Sequence, residues 1–261
     1  MGVTVGPALV AAVVVLVAAA AAVVRYFSFA VTRDVVVASA RAVGQLAAVS
    51  LILAAVLESG WSTAAFIGLM LAVAAVTSGR RVAGGMSGGR WTAAPITVGA
   101  LPVLAIVLAT GAVPATTIAV LPVAGILIGG AMTATSLAGR RSLDELRNRY
   151  GEYEAALALG FTPRGATLEL CRPVAAQALV PALDQTRTVG LVTLPGAFVG
   201  VLLGGGSPAQ AGAVQLLVLV GLLLAEAIAA VLMLEVIAAG RLPTSGGTPA
   251  GGRVRPGRRT G

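Results

Sequence analysis

Residues 211–239 read AGAVQLLVLVGLLLAEAIAAVLMLEVIAA, an almost uninterrupted apolar run. As an α-helix rising about 1.5 Å per residue, this run would cover roughly 43 Å, more than the hydrocarbon thickness of about 30 Å. Alanine, valine, leucine and glycine occur on every side of that helix, as they do in helices that face lipid or a protein interior. The run therefore predicts a membrane-spanning helix near the end of the chain.

Six earlier apolar runs have the same character. They are residues 7–24, 35–57, 62–78, 91–110, 115–138 and 188–203. The composition agrees, because 57% of the 261 residues are hydrophobic, 11% are charged and the mean hydropathy is +0.96. Such values are typical of membrane proteins. We predict an all-α integral membrane protein with about seven transmembrane helices and a cytoplasmic elbow between the fifth and the sixth.

The positive charges predict an orientation. All 18 basic residues are arginine, and each follows an odd-numbered apolar run or lies in the tail, whereas residues 58–61, 111–114 and 204–210 contain none. Because arginine marks cytoplasmic loops, we predict an outside N-terminus and a cytoplasmic C-terminus in the inner (plasma) membrane. This orientation accounts for the net charge of +8 without any nucleic acid. Residues 1–240 then form the transmembrane domain, and residues 241–261 form a disordered cytoplasmic tail rich in arginine, glycine and proline.

The residue types that the chain lacks exclude several chemistries. Without lysine there is no P-loop for ATP, and without histidine there is no Ser-His-Asp triad and no histidine zinc site. The single cysteine, Cys171, excludes an internal disulfide and a cysteine-rich metal cage. We therefore expect a protein that is not an enzyme and that binds no cofactor itself. Its residues alone assign no metal ligands.

The one long polar stretch is residues 140–187. It begins with a charged helix, in which Glu145 and Arg149 are neighbours on one face. We expect this helical stretch to end at Gly160, with Thr162 as the N-cap and Pro163 in the first turn of the next helix. Such an element either docks into the groove of a partner or packs as a structural elbow beneath its own bundle.

A pattern in this element resembles the EAA loop of ABC-transporter permeases, E-A-A-x3-G-x9-I-x-L-P. The matching positions are Glu154, Ala155, Ala156, Gly160, Leu170, Arg172 and Pro173, with leucine replacing isoleucine and arginine replacing leucine. In that superfamily the loop is a coupling helix that inserts into a cleft of the ATP-hydrolysing subunit. The resemblance implies that ATP and Mg are bound by a separate ATPase. It also implies a set of coupling residues, namely Glu154, Ala155, Ala156, Gly160, Phe161 and Pro163.

Other segments resemble the FetB-type iron-export permease family. They are Arg41-x3-Gln45-Leu46, Pro122-x-Ala124-Gly125-x3-Gly129, Val189-Gly190-Leu191-Val192-x-Leu194-Pro195-Gly196-x3-Gly200 and Gly206-x-Pro208-x2-Ala211, followed by Gln215. The resemblance implies a permease domain over residues 1–240 that works as a homodimer with its ATPase in an exporter linked to iron or metal homeostasis. This chain has Ala197-Phe198-Val199 where the family usually reads M-M-T, and Gly130 where it often has asparagine. Both departures remove groups that could meet a metal.

Polar or helix-breaking residues inside the apolar runs are candidates for the substrate path. Pro195 and Gly196 interrupt the sixth run, which indicates a hinge, a substrate contact or a kink that merely fits its neighbours. Glu226 lies roughly 22 Å into the last run, and an intramembrane carboxylate is either a functional site or a buried partner for an arginine. Arg41 and Gln45 are the candidate partners. Gly200 and Gln215 complete the predicted path.

Three functions remain open at the level of sequence. The first is the ABC permease subunit. The second is an ion-coupled secondary transporter or channel that uses Glu226 and needs no ATPase. The third is a membrane scaffold that transports nothing, which would leave the interrupted run and Glu226 unexplained. The EAA spacing favours the first.

Overall fold

The computed structural model describes residues 6–56, 60–84 and 88–242, and these residues form ten α-helices and no β-strand. The predicted all-α class is thereby confirmed. The helices are α1 Pro7–Tyr26, α2 Thr32–Val56, α3 Gly60–Ala83, α4 Gly89–Ala109, α5 Thr117–Asn148, α6 Tyr150–Ala158, α7 Pro163–Ala176, α8 Val180–Thr188, α9 Gly196–Leu203 and α10 Pro208–Ala238. The predicted disordered tail lies outside the described residues from residue 243 onward.

Six of these helices, α1 to α5 and α10, are long and apolar enough to cross a membrane. The predicted count of seven is not confirmed, because the sixth run is not a continuous helix. Thr188 ends α8, a tight turn follows in which the Gly190 N–H donates to the Thr193 oxygen at 2.9 Å, and α9 begins only at Gly196. The backbone of Pro195 is extended, as proline at a helix N-cap allows. At about 1.5 Å per residue, α9 covers roughly 12 Å.

The described residues up to Ser62 form one compact unit, and those from Thr63 onward form another. In the first unit α1 packs along α2, and no residue of α1 is buried. Tyr26 and Phe27 stack edge to face where α1 ends, with ring centroids 5.1 Å apart. The apolar side chains of α1 are thus left on the surface, as expected for a helix that faces lipid.

In the second unit, α4, α5 and α10 form a closely packed bundle around Ile96, Leu127 and Val218. Glycine permits the close approach of α4 to α10, because a Cβ placed on Gly99 would lie 2.6 Å from the Ala225 oxygen. Small residues have this role in membrane helix packing, where lipid supplies no hydrophobic drive between helices.

Hydroxyl groups attach α3 to this bundle. Thr92 of α4 donates to the Ala75 oxygen at 2.8 Å, and Ser136 of α5 donates to the Ser78 hydroxyl at 3.0 Å. Such interhelical hydrogen bonds hold together helices whose facing surfaces are otherwise uniformly apolar. Helix α3 is therefore an integral member of the second unit.

Helix α5 continues well past its apolar part. Its 32 residues cover about 48 Å, so it runs without a break into the segment that the sequence predicts as a separate charged helix. Beyond the apolar part, Leu143 and Leu146 of α5 pack with Leu168 and Cys171 of α7, and with Met233 of α10. We call this cluster the lower core. It holds α7, which together with α6 forms the elbow.

Candidate functional site

The elbow consists of α6 and α7, which are connected by a sharp turn at Gly160. Gly160 has a φ of +94°, and the Phe161 N–H donates to the Ala156 oxygen while the Gly160 N–H donates to the Leu157 oxygen, both at 3.0 Å. This is the hydrogen-bonding pattern of a Schellman C-cap, which favours glycine at this position. The Thr162 hydroxyl accepts from the Gly165 N–H at 3.0 Å, and Pro163 begins α7. The predicted helix end, N-cap and proline are all confirmed.

The two arms of the elbow have different surroundings. Helix α7 buries Ala166, Leu168 and Cys171 against the lower core, whereas α6 has no buried residue. The elbow is therefore anchored through α7, whereas α6 is mostly exposed and contacts the lower core through the half-buried Tyr153. The two alternatives that the sequence leaves open each describe one arm.

The tip of the elbow presents apolar side chains to its surroundings. Leu159 is 81% exposed and Phe161 is 48% exposed. Among the predicted coupling residues Glu154, Ala155, Gly160 and Pro163 are also exposed, and Ala156 is half-buried. No described residue forms an ion pair with Glu154. A leucine and a phenylalanine on an exposed turn, beside an unpaired carboxylate, make a surface suited to a partner.

Charges fix the junction between α5 and α6. Arg149 contacts Glu145 at 3.1 Å and also pairs with Glu152. Hydrogen bonds to Glu152 and Glu145 raise the pKa of Arg149 above its usual range, and the bond to Arg149 lowers the pKa of Glu152. The guanidinium therefore bridges the last turn of α5 and the first turn of α6.

A second ion pair joins the elbow to the last membrane helix. Arg164, in the first turn of α7, contacts both carboxylate oxygens of Glu235 on α10 at 2.8 Å. Glu235 lies nine residues from Glu226 on the same helix. Sequence analysis missed this pair, because its members are 71 residues apart and no local pattern links them.

A cavity of about 240 Å³ lies between the turn after α8, the start of α9 and the face of α10. Its lining includes Val189, Pro195, Phe198, Gln215 and Leu219. The predicted path residues Pro195 and Gln215 therefore meet, whereas Gly196 and Gly200 are exposed and have open space around them.

Gln215 caps a helix that is not its own. The Phe198 N–H, which is left free at the start of α9, donates to Gln215 Oε1 at 3.2 Å, and Gln215 is only 4% exposed. The N-cap residue of α9 is Pro195, which makes no side-chain cap. Gln215 thus supplies from α10 the acceptor that the first turn of α9 needs.

Glu226 lies three helical turns from Gln215 on the same side of α10. It is 7% exposed, and no described residue forms a hydrogen bond or an ion pair with it. Gly130 of α5 is its neighbour, since a Cβ there would lie 2.7 Å from Glu226 Oε1. Arg41 and Gln45 belong to α2 in the first unit, where both are exposed, so their pairing with Glu226 stays a prediction.

The described residues contain no group of three or more histidine, cysteine, aspartate or glutamate side chains that could hold a metal ion. Cys171 is fully buried, and burial raises the pKa of its thiol to about 11. It is therefore protonated and shielded from reagents at neutral pH.

The profile of the family described as "Uncharacterised protein family (UPF0014)" matches residues 7–240. The chain is 34% identical over 202 residues to the "UPF0014 membrane protein STAR2" of Oryza sativa subsp. japonica, covering 76% of this chain and 70% of that protein. It is 35% identical over 162 residues to the "Protein ALUMINUM SENSITIVE 3" of Arabidopsis thaliana, covering 62% and 59%.

A third relative is the "Probable iron export permease protein FetB" of Escherichia coli (strain K12), which is 35% identical over 123 residues. That match covers 47% of this chain and 48% of the relative, so the chain spans about half the length of this bacterial protein. No solved structure matches the chain.

Proposed function

The chain belongs to the UPF0014 family, and from this premise we propose that it is the membrane subunit of an ABC transporter, driven by a separate ATPase. The chain is a multi-pass membrane protein, and a relative named as a permease supports a transporter subunit rather than an enzyme. ATP and Mg are bound by the ATPase partner in this proposal.

The observation that carries the proposal is the exposed tip of the elbow. Leu159 and Phe161 follow a helix whose end is fixed by Gly160, and α6 has no fully buried residue. A short helix with an unpartnered apolar end fits a hydrophobic cleft on another protein. We propose that this cleft lies on an ATPase subunit. Glu154, Ala155, Ala156 and Pro163 of this chain contact its rim in the proposal.

A continuous set of contacts leads from this tip into the membrane helices. Gly160 joins α6 to α7, α7 packs in the lower core, and Arg164 holds Glu235 of α10. Helix α10 also carries Gln215 and Glu226. A displacement of the elbow would therefore reach both buried polar groups of α10 through rigid elements.

We propose that the N-terminus is outside and the C-terminus cytoplasmic in the plasma membrane. In support, the guanidinium of Arg241 lies 5.2 Å from the ring of Trp91, and that of Arg90 lies 4.8 Å from it, so arginines of two different connections meet at one end of the second unit. The arginine count requires an odd number of passes. Six helices cross whole, and the interrupted segment before α10 makes the seventh pass in this proposal.

The interrupted segment also supports a homodimer. Leu191 is 91% exposed and Val192 is 78% exposed, and both lie on the tight turn before α9. Non-helical backbone at membrane depth is stable only where protein or a water-filled cavity covers it. We propose that a second copy of the chain packs over this turn.

Cysteine crosslinking tests this dimer. Val192→Cys is expected to form disulfide-linked dimers of the purified protein when a mild oxidant is added, because two turns that cover each other bring their thiols together. The unmodified protein is the matched control, since its only cysteine is buried. A Val192→Cys protein that stays monomeric on denaturing gels would contradict this interface.

We propose a cargo linked to iron or metal homeostasis, because one relative is named as an iron export permease. One observation favours the alternative of an ion-coupled transporter or channel: Glu226 is buried without a described partner. That alternative includes no ATPase, so it leaves the exposed tip of the elbow without a binding partner.

Co-purification separates the two functions. The partner to test is a Walker-motif ATPase without membrane spans, encoded beside this chain's gene. We expect it to co-purify with the permease and to hydrolyse ATP faster in the complex than alone. Full-rate transport by liposomes that contain the permease alone would contradict the ABC proposal.

A further inference from the structure

Glu226 is the only buried side chain with a charge among the residues that the structure describes. Ionised and unaccompanied, a carboxylate costs several kcal/mol at the centre of a bilayer, so it needs either a proton or a positive charge beside it. Its neighbours Leu222 and Gly130 are apolar. Leu222 lies one turn away on α10, and both Leu222 and Glu226 pack against Gly130.

Every charged group on the helices packed against α10 lies far from the level of Glu226. Gly99 of α4 approaches the neighbouring Ala225, and nine residues separate Gly99 from Arg90. Ten residues separate Gly130 of α5 from Arg140, and nine separate Glu226 from Glu235. Such spacings place the Cα atoms of these charged residues about 13–15 Å away along the helices.

The remaining neighbours of α10 do not approach Glu226 with a charge either. Arg164 of α7 is bound to Glu235, and Glu169 and Arg172 of the same helix are exposed. Asp184 and Arg187 of α8 pair with each other at 3.4 Å, and α9 has no charged residue. The described residues therefore leave the Glu226 carboxylate without compensation.

We propose that Glu226 binds one positive charge during transport, either a proton or a monovalent cation. A single carboxylate balances a single charge, and the described residues offer no cluster of ligating side chains that a multivalent metal would need. The proposal rests on the proposed transport function, with or without an ATPase, and deepens it by naming the charge that Glu226 takes up.

The face of α10 supplies a route to this carboxylate. Gln215, Leu219, Leu222 and Glu226 follow one another at helical spacing, and the cavity extends from Pro195 to Leu219. Leu222 packs on Gly130 directly beside Glu226. Along α10, Leu222 thus lies between the cavity, which Leu219 lines, and the carboxylate, and a displacement of α10 would connect them.

The test uses the purified permease alone in liposomes and the apolar reagent dicyclohexylcarbodiimide, which adds to protonated carboxyls in apolar surroundings. Mass spectrometry of peptides reads the modified residue. If a proton is the charge, modification of Glu226 falls about tenfold per pH unit once the carboxyl ionises, and sodium, potassium and tetraethylammonium have no effect. If a cation is the charge, one of these three ions suppresses modification saturably at constant pH.

Glu226→Gln removes the modification, and Glu235, which is paired and partly exposed, stays unmodified as the control on the same helix. Two results would overturn the proposal. One is no modification of Glu226 at any pH. The other is modification that appears only in Arg41→Ala, because an internal arginine would then be the partner. The assay contains no ATPase, so its outcome does not depend on coupling at the elbow.

Discussion

Replacing Gly160 with valine is expected to weaken binding of the ATPase about fivefold to thirtyfold. Gly160 has a φ of +94°, a region in which a side chain costs about 1–2 kcal/mol, and each 1.4 kcal/mol is tenfold in affinity. The strain would shift the turn that aims Leu159 and Phe161. Stimulated ATP hydrolysis by the reconstituted complex, measured against ATPase concentration, checks this expectation.

Gly151 provides the matched control. Both glycines are exposed in the elbow and have open space where a Cβ would be placed, but Gly151 is an ordinary helical residue of α6. Gly151→Val is expected to retain stimulated hydrolysis, and Gly160→Asn to recover part of it, because asparagine tolerates the left-handed region. Equal losses at Gly151 and Gly160 would mean that bulk at the surface, rather than the turn, is responsible. Unchanged coupling in Gly160→Val would contradict the proposed role of the elbow.

Gly99→Ala is expected to destabilise the bundle by about 1–3 kcal/mol, as overpacking does elsewhere. The added Cβ would lie 2.6 Å from the backbone oxygen of Ala225, which cannot turn aside as a side chain can. Helices α4 and α10 would have to separate along a buried contact. Unfolding of the purified protein in increasing dodecyl sulfate, followed by circular dichroism, measures the loss.

Gly129 and Gly130, both on α5, provide two comparison variants for that experiment. No atom lies within 4 Å of a Cβ built on Gly129, so Gly129→Ala is expected to be neutral or to stabilise by up to about 1 kcal/mol. A Cβ on Gly130 would meet the ends of Leu222 and Glu226, which can rotate, so its loss should lie between the other two. A Gly99→Ala protein as stable as Gly129→Ala would contradict the close packing of α4 on α10.

Local chemistry made the elbow predictable. A left-handed C-cap requires glycine, an N-cap favours threonine and the first turn of a helix accepts proline, so Gly160, Thr162 and Pro163 specify the turn from sequence alone. Burial of Glu226 was predictable for an equally simple reason, since its neighbours along the chain are almost all apolar. Neither feature depends on which helices become neighbours.

The interrupted segment before α10 was predictable only in part. Pro195 indicated a break, but hydropathy measures composition and does not distinguish a helix from a turn made of the same apolar residues. The first turn of α9 is completed by Gln215, which lies 17 residues away from the Phe198 N–H that it satisfies. The predicted count of about seven helices is therefore not confirmed at this segment, whose hydrogen bonds are partly non-local.

Sequence alone determined that the chain crosses a membrane, where its sharp turn lies and which carboxylate is buried, because these properties follow from hydrophobicity and backbone chirality near each residue. Tertiary structure decided that α7 packs while α6 stays exposed, that Arg164 holds Glu235, and that Gly130 lies beside Glu226. Helices built from alanine, valine and leucine are apolar on every side, so they carry no stripe that encodes a partner. Which faces meet is settled only when small residues and a few polar groups fit together.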